Sequence, residues 1–144
     1  MAAETTRAIA YIRSATPTDS HTDDKTKLSA QQICTYCSLN GITLVDVLID
    51  DPGVGQRLSA RPTLRDALSA LASGRADVLI VPSLPTLSRS IVELAPWLAE
   101  HFGAGSPHAL IAVQEHIDTR QPIGRLALGV LSGLSLFDRG GRHA

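Results

Sequence analysis

Residues 62–81, PTLRDALSALASGRADVLIV, contain one complete change of hydrophobic period. Leu64, Ala67, Leu68 and Leu71 recur at i, i+3, i+4 and i+7, one face of an amphipathic helix over 62–73. Pro62 stands where a helix begins, a first-turn position that needs no amide donor. Gly74 stands where one ends, because glycine enters the left-handed cap without a Cβ penalty. Three residues later DVLIV (77–81) is almost continuously aliphatic, as a strand buried on both faces must be. Helix, cap and buried strand within twenty residues are half of a βαβ unit.

The same alternation extends in both directions. Residues 8–13 (AIAYIR), 43–50 (TLVDVLID) and 109–114 (ALIAVQ) read as further strands. Helical patterns cover 28–40, closed by Asn40-Gly41, then 87–101 and 122–138, with a kink or break expected at Pro96. The prediction is an α/β fold: a mainly parallel sheet of about four strands flanked by helices, ending in a C-terminal oligomerisation helix. We expect a single domain over 1–144, with its α/β core at 7–121, the interface helix at 122–138 and a tail at 139–144. Polar residues 14–27 and Gly-bearing residues 51–60 read as irregular loops. Both follow the carboxyl ends of strands, where open α/β sheets place their sites.

Composition narrows the function. In 144 residues, 44% hydrophobic, 13 Lys and Arg face 14 Asp and Glu, so the formal charge of −1 supplies no general pull toward nucleic acid or anionic lipid. Two Tyr, two Phe and one Trp are too few for a base-stacking platform. The N-terminus has no signal-peptide pattern and no window is apolar enough for a membrane span, so the expected location is cytoplasmic.

Individual motifs are weighed against plain packing. Cys34 and Cys37 have C-x-x-C spacing, yet they lie in mid-helix with no second pair or nearby His to complete a metal shell, so semi-buried packing is favoured over thiol redox chemistry. The five His are scattered and none joins a Ser and an Asp in a nucleophile pattern. No metal or cofactor is expected. Residues 126–137 carry no charge, and Leu126, Gly129, Val130, Gly133, Leu134 and Phe137 point to a helix packed against a partner subunit, a homodimer or higher homo-oligomer. Arg13 ends the first strand, Arg61 opens the second helix and Arg89 stands near the third. Together they are candidates for a phosphate cradle, because planar guanidinium forks and free amides can face one anion.

The order of these pieces resembles the catalytic domain of the resolvase/invertase family of serine recombinases. Tyr11-Ile12-Arg13 resembles the family's Y-x-R, Leu28 with Gln31 its L-x-x-Q, and Asp51, Gly55 and Arg61-Pro62 its D...SG...RP segment. Leu84, Leu87, Ser88 and Arg89 resemble L-D-R-L-S-R. Ile117-Asp118-Thr119 with Gly124-Arg125 resembles I-D-T...G-R, and Phe137-Asp138-Arg139 stands near the terminal E-R. The resemblance implies a serine that attacks a DNA phosphodiester while arginines stabilise the phosphoryl charge, without metal or cofactor.

Departures fall on the reacting positions. Ala15 stands where Y-x-R-V-S places the nucleophile, Val54 where S-G has its serine, and Pro85 and Thr86 where L-D-R-L has its acid and arginine. Ser14 is one residue early, and strand alternation would turn it to the opposite face. Family members continue into a longer helix and a DNA-binding domain, whereas this sequence ends in GGRHA, so binding of specific DNA by this chain alone is not expected. The leading expectation is a non-catalytic, self-associating module. The alternatives are a recombinase using Ser14, with DNA binding supplied elsewhere, and a C-x-x-C redox protein.

Overall fold

A computed structural model describes residues 5–14, 24–51, 57–103, 105–127 and 129–130. Five strands form one sheet: β1 (Thr6–Arg13), β2 (Ile42–Asp50), β3 (Val78–Val81), β4 (Ala109–Ala112) and β5 (Ile117–Asp118). Their order is β2-β1-β3-β4-β5, the first four parallel and β5 antiparallel to β4. The helices α1 (Asp24–Leu39), α2 (Pro62–Ala72) and α3 (Ile91–Phe102) are the crossovers. Residues 122–127 and 129–130 are helical and lead away from β5.

The period of two along each strand divides the core into two layers. Ile9, Tyr11, Leu79, Val81 and Leu110 face α2 and α3, packing on Leu64, Leu71, Leu94, Leu98 and Phe102. Ala8, Ala10, Ile12, Ile80 and Ile111 face the other way onto Ile33 and Cys37 of α1. All four residues of β3 and all four of β4 are buried, which explains their uninterrupted aliphatic sequence. From β1 the chain winds first to β2 on one side and then to β3 and β4 on the other. The carboxyl ends of β1 and β3 therefore flank a topological switch point, where α/β sheets open a crevice.

The α/β reading holds, with local corrections. A fifth strand exists: β5 has two residues, too short for a periodic signal, and it runs back along β4 after a turn in which His116 has φ 58°. Helix α1 starts at Asp24, so the irregular stretch expected over 14–27 is helical from residue 24. Helix α3 starts at Ile91, not at 87, because Ser90 caps it by accepting the Glu93 amide at 3.4 Å. Of the kink or break expected at Pro96, a break is absent: the helix is continuous from Ile91 to Phe102. Within 51–60, Leu58–Ala60 form a 3-10 turn. The caps read from sequence are present, with Gly41 at φ 66° and Gly74 at φ 82°.

Candidate functional site

A cleft of about 510 Å³ opens at the switch point. The end of β1 contributes Arg13 and Ser14, the turn after β3 contributes Ser83 and Thr86, and Arg89, Gln114, Lys25 and Ser29 complete the rim. Among the described residues, three cations and several hydroxyls line it and no carboxylate does. Such a lining suits an oxyanion, since guanidinium forks and hydroxyls are all donors to it.

Ser14 borders this cleft beside Arg13, although alternation would have separated them. The strand ends at Arg13, so its period no longer governs the next residue. The Ser14 amide donates to the Asp50 carbonyl at 2.8 Å, and the residue is 2% exposed. Ala15 and Val54, which the resemblance sets against the family's serines, lie outside the described residues.

Arg61 is placed differently from Arg13 and Arg89. It is 2% exposed and lies behind the cleft wall, where Nη1 donates to the Thr86 carbonyl at 3.1 Å. Beside it the Tyr11 hydroxyl donates to Asp50 Oδ2 at 2.7 Å. Burial pushes the Tyr11 phenol well above its ordinary range, the Asp50 carboxylate adds to this, and the Arg61 guanidinium opposes it. Asp50, one residue before the Asp51 picked out by the motif, is the carboxylate that ties β2 to β1 through Tyr11.

Leu84–Thr86, the residues compared above with the L-D-R motif, form a 3-10 turn. Its first amide, that of Leu84, donates to Glu115 Oε2 at 3.0 Å, and its last carbonyl accepts from Arg61. Pro85 and Thr86 of this turn stand on the cleft rim.

A family model described as Resolvase, N terminal domain, matches residues 8–142. The chain belongs to the resolvase family. Among solved structures, this resolvase-family domain is similar to the N-terminal catalytic domain of TP901-1 integrase, at 23% identity and TM-score 0.80, covering 94% of this chain and 98% of that one. It is also similar to a resolvase family site-specific recombinase from Streptococcus pneumoniae, at 17% identity and TM-score 0.71, covering 96% and 91%. Both likenesses concern the fold. Comparison with curated proteins returns no match.

Other motifs of the resolvase-family domain serve its framework. The Thr119 hydroxyl accepts the Leu110 amide at 2.9 Å, and the Thr119 carbonyl accepts Arg125 Nε at 3.2 Å. A Cβ on Gly124 would overlap the Asp118 carbonyl, so only glycine lets the last helix start against β5. The I-D-T...G-R stretch therefore fastens that helix to the sheet edge. Leu28 and Gln31 are exposed and do not line the cleft; Lys25 and Ser29, four apart on α1, do. Of that i, i+4 pair, Ser29 lies in the helix expected over 28–40, whereas Lys25 falls in the stretch read as irregular.

Cys34 is exposed and Cys37 buried, both free, and burial pushes the Cys37 thiol up, away from a reactive thiolate. Among the described residues no group of His, Cys, Asp and Glu could hold a metal ion, and no helix is long and apolar enough to cross a membrane. Of the interface candidates, Leu126 is 63% and Val130 57% exposed, and none of the described residues approaches the Cβ position of Gly129. Gly133, Leu134 and Phe137 lie outside the described residues.

Proposed function

We propose that this resolvase-family domain is a non-catalytic, self-associating module whose cleft holds a phosphate without cutting it. The burial of Ser14 carries this reading. A nucleophile must bring its oxygen to about 3–3.5 Å from the reacting phosphorus. Ser14, at 2% exposure with its amide tied to Asp50, offers little surface to a DNA phosphodiester, and the family's serine position holds Ala15. Losing a nucleophile lowers a rate by several orders of magnitude, because such groups act as a unit.

In this reading Arg13 and Arg89, with Lys25, face the anion, and Arg61 supports them from behind by holding the Thr86 carbonyl. Self-association uses Leu126, Gly129 and Val130, continued by Gly133, Leu134 and Phe137. Exposed Ile123, Leu126 and Val130 support it, because burying large aliphatic side chains is worth about 1.5–3 kcal/mol each. A second reading, strand exchange by Ser14, is favoured only by its place beside Arg13 on the cleft.

Fluorescence anisotropy with a short labelled duplex tests the module. We expect salt-dependent binding, with Arg89→Ala lowering the slope of log K against log salt by about 1, as loss of one phosphate contact does. The DNA should emerge intact on a denaturing gel; cleaved strands would overturn the non-catalytic reading.

A further inference from the structure

A second cavity, of about 410 Å³, lies between α2 and α3, toward the end of the sheet opposite the cleft. Both helices run against the parallel strands, so their carboxyl ends approach the amino ends of those strands, where His108 stands just before β4. From α2 the cavity takes Arg65, Leu68, Ser69 and Ala72, spaced i, i+3, i+4 and i+7 along one helix face. Ser69 and Ala72 are too small to fill the space between the helices, and buried Leu71 and Phe102 give it an apolar floor.

The charged and titratable groups on its wall are of one kind. Arg65, His101 and His108 border it, and among the described residues no carboxylate does. A guanidinium and two imidazoles all present N–H donors, which a carboxylate ligand accepts. One residue holds both histidines: the Ser106 hydroxyl donates to the His101 carbonyl at 2.7 Å and accepts the His108 amide at 3.2 Å. The His101 ring also packs on Trp97, with centroids 4.8 Å apart. Of the acids beside the histidines, Asp77 pairs with Arg7 at 3.3 Å, and Glu100, 4.0 Å from His101 Nε2, is 75% exposed.

An apolar floor with a few polar groups on its wall is the make-up of small-molecule sites, which run from about 300 to 1,000 Å³. A bare phosphate would leave the floor wet, and an uncharged lipid would leave the donors without an anion. We propose that this cavity binds a medium-chain aliphatic carboxylate, its head held by Arg65 and the histidines and its tail laid over Leu71 and Phe102. The site is separate from the cleft and does not depend on what the cleft binds.

Trp97 is the one tryptophan of the chain and packs on His101, so its emission reports this cavity. Titrating the full chain with octanoate should shift that emission saturably. Octanol, with the tail and no charge, should bind about tenfold more weakly, as loss of a charge-assisted pair predicts. Acetate, with the head and no tail, should leave Trp97 unchanged. Arg65→Gln, at an exposed position, should weaken octanoate about tenfold. Ala72→Phe, which fills the cavity from an exposed helix position, should abolish the shift with circular dichroism unchanged. The series of octanoate, octanol and acetate needs no variant and decides even where Ala72→Phe misfolds. Octanol as tight as octanoate, or Arg65→Gln binding like the wild type, would overturn the carboxylate as ligand. Heat of binding in calorimetry with Trp97 unchanged would put octanoate elsewhere, and no saturable response by either readout would overturn the site.

Discussion

Tyr11 and Asp50 meet across β1 and β2 through a 2.7 Å hydrogen bond, the phenol donating to a carboxylate that is 3% exposed. The contact joins β1 to β2 beside the buried Arg61, and the Asp50 carbonyl also accepts the amide of Ser14 on the cleft.

Replacing Tyr11 by Phe keeps the ring and removes the donor. A buried carboxylate that loses a partner costs about 1–3 kcal/mol, to be read as a lowered urea midpoint. The alkaline response should also change. Tyr11 loses its proton near the ordinary 10.0 when unfolded and at higher pH when folded. Its contribution is therefore fully present below that ordinary value and is lost as pH rises above it, because the unfolded chain ionises first. Tyr11→Phe should flatten the fall in stability above about pH 10, leaving the losses from Tyr36 and Cys37, whose folded phenol and thiol are also raised.

Gly124→Ala forces a methyl onto the Asp118 carbonyl. Overpacking against backbone costs about 1–3 kcal/mol, measured by denaturant unfolding. Gly129→Ala, whose Cβ meets none of the described residues, should instead stabilise the helix by about 0.5–1 kcal/mol.

Leu126→Asp puts a charge on the exposed face of the last helix. Light scattering should show the mass fall to that of one chain with circular dichroism unchanged. A mass unaffected by this change would remove that face from the interface.

Period and punctuation made the four parallel strands, α2 and both glycine caps legible in the sequence, because long aliphatic runs and left-handed caps leave few alternatives. β5 escaped because two residues cannot show a period; it is recognisable only by its pairing with β4. The start of α1 escaped because Asp24 to Lys27 are polar, although Thr26 is buried at 3% and Lys25 reaches the cleft. Arg13 and Arg89 were visible as motif residues and lie on one cleft. The interior position of Arg61 was not visible, since a motif records that an arginine is present and not whether it faces solvent or core. Asp50 and Asp51 are adjacent carboxylates, and only the register that sets Arg13 against Asp50 shows which closes on Tyr11.

The most direct measurement is trapping of a covalent protein–DNA adduct. Supercoiled DNA carrying candidate crossover sites is incubated with the full chain, quenched in detergent and resolved on a denaturing gel. A non-catalytic module predicts bound but uncut DNA and no shifted covalent band. A covalent band that disappears in Ser14→Ala would contradict it and make Ser14 the nucleophile.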